Sequence, residues 1–161
     1  MVKVAEQQNN FAHKRKINLQ ITTPRGVKFK EEADMIIMRC IDGDLGVLAG
    51  HAPVSTVLGD GILRIFNNGV EKKLAVFGGI AEIKDRAVNI FSTIAQRPEE
   101  IDLERAERDA REAEAILLEQ SEEVQVHSLR VSLRRSLVRI EVSLHLEEEK
   151  FTEDDEEDEE S

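Results

Sequence analysis

The chain has 161 residues and a formal net charge of −11, with no Trp, no Tyr and six Phe. Glu147–Ser161 holds eleven acidic residues and one lysine, a local charge of −10, so the rest of the chain stands near −1 and offers no basic face; with so few aromatics it also lacks a base-stacking platform, which excludes a nucleic-acid binder. No apolar run approaches the roughly 18 to 20 residues of a membrane span, Met1–Lys16 has no signal-peptide core, and the single Cys40 rules out an internal disulfide or a Cys-x-x-Cys motif, so a soluble, cytoplasmic chain with Cys40 as a small buried hydrophobe is expected.

This length accommodates one compact core and a satellite. After the polar extension 1–16, Ile17, Leu19 and Ile21 alternate with Asn18 and Gln20 as in a half-buried strand, and Pro24 and Gly26 mark a turn. Met35–Ile41 reads as a second strand stopped by Asp42-Gly43-Asp44. Ile62–Phe66 reads as another, closed by Asn67-Asn68-Gly69, where Asn-Gly supplies the positive φ angles of a tight hairpin. Leu74–Ile83 runs through Gly78-Gly79 and turns at Lys84-Asp85-Arg86 into Val88–Ile94. Short strands at this spacing predict two packed sheets over 17–98.

Beyond Pro98 the period becomes helical, with Leu103, Ala106, Ala110, Ala113 and Leu117 spaced 3, 4, 3, 4. Asp102 is placed to cap this helix and Ile101 to staple it. A second helix begins after Ser121 and runs to about Leu144, giving an antiparallel helical hairpin over 99–146. On it, Val126, Leu129, Leu133, Leu137, Ile140 and Leu144 form a stripe suited to the alanine face, while Val124, Val131, Val138 and Val142 lie opposite. Arg130 and Arg134 flank this second stripe on one edge, Arg135 and Arg139 on the other; an isolated hairpin has no use for such a face. Val138–Leu144 also alternates with period two, as a strand would, but the arginines and the preceding stripe favour a helix. The acidic tail 147–161 has too little apolar surface to order itself, so disorder is expected there.

No catalytic constellation stands out. Asp42 and Asp44 in one glycine turn lack the further oxygens of a calcium site, so no metal is expected, and plain turn chemistry accounts for them. His51 has no nucleophile and orienting partner at a suggestive spacing. Gly78-Gly79 lacks the Lys-Ser/Thr and following helix of a phosphate loop, which leaves close backbone packing.

The stretch Ile41-Asp42-Gly43-Asp44-Leu45-Gly46-Val47-Leu48-Ala49-Gly50-His51-Ala52-Pro53 resembles the loop signature of the epsilon subunits of bacterial F-type ATP synthases. The resemblance continues in order through Thr23–Gly26, Gly61–Ile65, Phe77–Glu82 and Ile101–Ala106, and covers about Ile17 to Leu144. It implies a two-sheet β-sandwich at the foot of the gamma subunit, touching the c-subunit ring, followed by an antiparallel helix pair able to fold onto the sandwich or extend along gamma. By that likeness Asp42, Asp44 and His51 belong to a loop contacting the c ring and gamma. Arg130, Arg134, Arg135 and Arg139 would meet acidic segments of the catalytic beta subunits and restrain ATP hydrolysis. Alpha, beta, gamma and the c ring are the implied partners, in a non-catalytic rotor subunit bound peripherally at the cytoplasmic face of the bacterial membrane.

Ile101-Asp102-Leu103-Glu104-Arg105-Ala106 also resembles the motif with which some of these subunits bind regulatory ATP, which would involve Asp102 and Arg105. Those members carry a preceding glutamate and a later arginine where this chain has Gln96 and Glu112, so no cofactor is expected, and Asp102 as cap with Arg105 as an exposed ion-pair partner suffices. Ser128, Ser132 and Ser136 replace the alanines frequent in the second helix and lower its intrinsic stability. The rival reading is a free-standing β-sandwich adaptor whose acidic tail binds basic clients; an enzyme would need a site that the sequence does not display.

Overall fold

The computed structural model describes residues 15–119 and 122–159, with side chains described only as far as His145 in the last helix. Nearly all of the extension 1–16 and the side chains of the acidic tail lie outside the described residues, as do the expectations placed on them. The strands are β1 (Ile17–Thr23), β2 (Gly26–Ala33), β3 (Met35–Cys40), β4 (Gly43–Leu48), β5 (His51–Asn67), β6 (Val70–Asp85), β7 (Ala87–Phe91) and β8 (Ile94–Gln96). A 3-10 turn at Pro98–Glu100 leads to α1 (Leu103–Glu119) and α2 (Glu123–Glu159).

The strands form one hydrogen-bonded ladder, β2-β1-β7-β6-β5-β3-β4, with β8 pairing β6; all pairings are antiparallel except β1 with β7. The ladder folds over on itself because β5 and β6 are long and carry glycines side by side. Gly59 and Gly61 lie in β5, Gly78 and Gly79 in β6 have φ of 68° and 117°, and Leu58 pairs with Gly79. A Cβ on Gly79 would lie 2.1 Å from the Phe91 carbonyl oxygen, and one on Gly61 2.7 Å from Arg39 Cβ, so the chains meet there at backbone distance. The buried Ser92 hydroxyl, 2.7 Å from the Gly78 carbonyl oxygen, ties the bend.

Folding over brings Ile17, Leu19, Ile21, Val88 and Ile90 onto Ile36, Met38, Leu63, Ile65 and Val76 in one continuous core that includes Cys40. Asn68 (φ 51°) and Gly69 (φ 81°) make the two-residue hairpin expected there, with Asn67 opposite Val70. Two expectations need correction. Ile41–Pro53, read as a loop, contains β4 and the start of β5, because Ile41-Asp42 is a tight turn that returns the chain at Gly43 immediately beside β3. Ile62–Phe66 and Leu74–Ile83 are halves of longer bent strands, since glycine bends them without ending the ladder.

The main core is built from sandwich residues only. The fragment 1–100 is therefore expected to unfold cooperatively by itself in a thermal melt; a broad, non-cooperative melt would contradict that. Gly79→Ala is expected to cost about 3 kcal/mol of stability by clash and positive φ, whereas Gly46→Ala, exposed with open space around it, should change stability by less than about 0.5 kcal/mol. Chemical denaturation of the two variants checks the difference.

Candidate functional site: the helical hairpin and its seat

Leu74-Ala75-Val76-Phe77 breaks the polar alternation of β6 because both faces of the strand are covered there. Leu74 and Val76 point into the main core, while Ala75 and Phe77 form a second, smaller cluster with Val142 of α2. Val138, Ile62, Ile94 and Ile101 pack around it. Val138 and Val142, the later half of the valine stripe of the second helix, thus find their partner in the chain's own sandwich.

The arginines divide in two. Arg135 Nε donates to Asp60 Oδ2 at 2.8 Å, with its Nη2 3.5 Å from Oδ1, and Arg139 Nε donates to Gln96 Oε1 at 2.7 Å. Both guanidinium groups also lie over the Phe77 ring, 5.3 and 4.7 Å from its centroid, so this ring, only 2% exposed, is roofed by two cations. Burial, and then the neighbouring Arg135 charge, lower the pKa of Arg139. Arg130 and Arg134, on the outer edge of α2, are exposed.

Between the helices, Ala106, Ala110 and Ala113 of α1 are buried as expected, but the facing stripe of α2 is shifted. Leu137 and Leu144 are 49% and 42% exposed, while Ser136 and Ser143 are buried beside half-buried Leu129, Leu133 and Ile140. The alanine face lets the helices approach closely, and small serines fit the contact where leucines would not. Val124, at the start of α2, is exposed.

Asp102 caps α1 by accepting the Arg105 N–H at 3.0 Å, and Arg105 Nε lies 3.8 Å from Asp109 on the exposed helix surface. Ile101 packs into the Phe77 cluster. In the turn before α1, burial raises the Glu100 pKa, but ion pairing with Lys28 and the Arg97 N–H outweigh it and hold the carboxyl below its usual range. Gln96, Asp102, Arg105 and Arg139 line a cavity of about 230 Å³. Arg139 comes from a distant part of the chain, and its place there could not be read from the motif. The cavity is smaller than the roughly 300 to 1,000 Å³ common for ligand pockets, and Arg139 is already engaged by Gln96.

The structure separates the three residues grouped as one contact loop. Asp42 sits in the β3–β4 turn, whereas Asp44 lies in β4 with Arg39 Nε 3.0 Å from its Oδ1. His51 opens β5 opposite Asp85, with Nδ1 2.7 Å from the Ala52 carbonyl oxygen. Since Cys40 pairs with Leu58, Asp42 and His51 stand roughly 15 to 20 Å apart along β5. Among the described residues, no three His, Cys, Asp or Glu side chains gather as a metal site.

A second surface was not anticipated. Val57 pairs with Ile80 and Ile80 with Phe91, so three half-exposed apolar side chains stand in one cross-strand row, and the exposed Ile41 donates its N–H to the Val57 carbonyl beside them.

A bent β-sandwich bearing a helical hairpin, with one bare apolar row and an arginine-edged helix, defines a two-module protein organised around contacts. Comparison with known proteins narrows that class. The family described as ATP synthase, Delta/Epsilon chain, beta-sandwich domain matches residues 16–98, and its long alpha-helix domain matches 99–143. The ATP synthase epsilon chain of Desulforamulus reducens is 38% identical over 122 residues, covering 76% of this chain and 92% of that protein; the one from Shouchella clausii is 33% identical over 129 residues, covering 80% and 96%. A chain in the cryo-EM structure of the Euglena gracilis mitochondrial ATP synthase, comprising OSCP, F1 and the c-ring, superposes with a TM-score of 0.68 at 29% identity, covering 81% of this chain and 82% of that one. The chain belongs to the ATP synthase delta/epsilon family, and its curated relatives are epsilon chains.

ATP is expected to bind the isolated chain weakly or not at all, because it would have to displace Arg139 from Gln96. Calorimetry that found micromolar binding, lost on Arg105→Ala, would reverse that expectation.

Proposed function

We propose that this chain couples the gamma subunit to the c ring during ion-driven ATP synthesis and restrains ATP hydrolysis through its helical hairpin. The observation that carries the coupling is the row Val57, Ile80 and Phe91 beside Ile41: contiguous apolar side chains on a sheet face call for a protein partner. Gamma is the partner assigned to it. Asp42 in the β3–β4 turn and His51, at separate points of the sandwich, are assigned to polar contacts with the c ring and gamma.

Support for the regulatory part comes from α2, whose four arginines lie between Arg130 and Arg139 with no acidic residue among them. Such a run suits acidic segments of the beta subunits, and arginine pairs well with carboxylates. Among the described residues no helix is long and apolar enough to cross a membrane, which agrees with attachment through the complex at the cytoplasmic face of the bacterial membrane.

Two variants test this reading in the reconstituted enzyme. Phe91→Lys is expected to weaken gamma binding by about tenfold or more while leaving the thermal transition in place, since apolar anchors dominate interfaces. Simultaneous Arg130→Ala, Arg134→Ala, Arg135→Ala and Arg139→Ala should raise ATP hydrolysis without preventing assembly. Unchanged gamma binding would refute the coupling surface, and unchanged hydrolysis at low and high salt would refute the regulatory helix.

A further inference from the structure

The hairpin meets the sandwich through α2, and the apolar part of that seat is small: Phe77 and Val142 at its centre, separate from the main core. Polar groups therefore carry much of the attachment. Two guanidinium groups, Arg135 and Arg139, share one aromatic ring, and the Arg135 charge disfavours that of Arg139. The carboxylate bonded directly to this pair is Asp60, with a side chain only 16% exposed; Gln96 offers a neutral oxygen, and Asp109 attracts Arg139 with Arg105 beside it. Among the described residues, further ties between α2 and the strands include Lys73 Nζ at 3.6 Å from Glu141, whose own side chain is 61% exposed, and His145 Nε2 at 3.1 Å from the Glu71 carbonyl oxygen.

We propose that Asp60 is the positioning residue that latches the hairpin to the sandwich: its carboxylate grips Arg135 and neutralises the two-arginine roof over Phe77, so that losing this one charge frees α2 while both modules stay folded. Asp60 sits in β5 directly opposite Phe77, beside the glycine bend, so the grip and the ring are fixed by one strand register. Without the carboxylate, two neighbouring, partly buried cations remain over the ring with one amide oxygen between them, and solvating them favours release. The latch also divides the four arginines by task. Arg135 and Arg139 cannot roof Phe77 and meet an outside partner at once, whereas Arg130 and Arg134 stay exposed in the docked form. This inference deepens the regulatory reading and rests on it only for its consequence in the assembled enzyme.

The test uses the isolated full chain, with spin labels at exposed Glu82 of the sandwich and exposed Ser132 of α2, and buried Cys40 replaced by Ala. Pulsed distance measurements should show one docked population for the parent. Asp60→Asn should add a second population, raising the undocked-to-docked ratio by about tenfold or more, while the thermal transition of the sandwich persists. Arg135→Gln, which leaves the sandwich sequence intact, should open the hairpin similarly, and Glu31→Gln, removing an exposed pair with Lys72 elsewhere on the surface, should not. Unaltered distances in Asp60→Asn and Arg135→Gln, or equal opening in Glu31→Gln, would overturn the latch. Opening without any change in ATP hydrolysis of the assembled enzyme would uphold the latch and overturn the regulatory reading.

Discussion

Gly79 has no room for a Cβ: the Phe91 carbonyl occupies that space. This contact allows a single ladder of strands to close into a two-layer sandwich. Because β5 and β6 bend together, Leu63, Ile65, Leu74 and Val76 turn inward onto the layer formed by β1 and β7, and the main core becomes continuous. The same bend presents Asp60 and Phe77 outward, side by side in register, immediately next to the glycines. One backbone approach thus defines both the core and the seat of the helices.

The two modules are held by different physics. The sandwich buries branched and aromatic side chains over most of its strands, with stability that scales with apolar area. The hairpin is held to it by a few apolar side chains and a cluster of charged and amide groups around Phe77. Such attachments have modest net strength and depend on ionic strength, whereas the interior of the sandwich does not. A strong module carrying a weakly held one suits a subunit whose helices have a second use.

Much of the fold could be read from local patterns. Alternation located the strands, Asn68-Gly69 the hairpin, and the alanine spacing the first helix, because each depends on neighbours within a few residues. The bend was harder to see, since Gly78-Gly79 signals close packing without naming Phe91 as the backbone it meets. For the site, the arginines of the second helix stood out by composition, but their division did not: Asp60, Gln96 and Phe77 lie 40 to 80 positions away in sequence. One clue was present and unused, the uninterrupted apolar run Leu74–Phe77, where a strand facing water on one side would have alternated. The serines of α2 were read as a loss of helix propensity, although Ser136 and Ser143 serve the close helix contact by their size.

The parallel pairing of β1 with β7 has a consequence for the order in which the chain acquires structure. Each antiparallel neighbour in sequence, β1–β2, β3–β4, β5–β6 and β6–β7, joins through a turn of a few residues and closes a short loop. The β1–β7 ladder joins Asn18–Thr22 to Ala87–Phe91, and the intervening strands must be gathered before it forms. Loop-closure entropy makes such a contact slow relative to the hairpins. During synthesis, β1 has to wait for its second neighbour until Phe91 has left the ribosome, and only β8 and a short turn separate Phe91 from the helices, so the platform is complete when the arm that rests on it emerges.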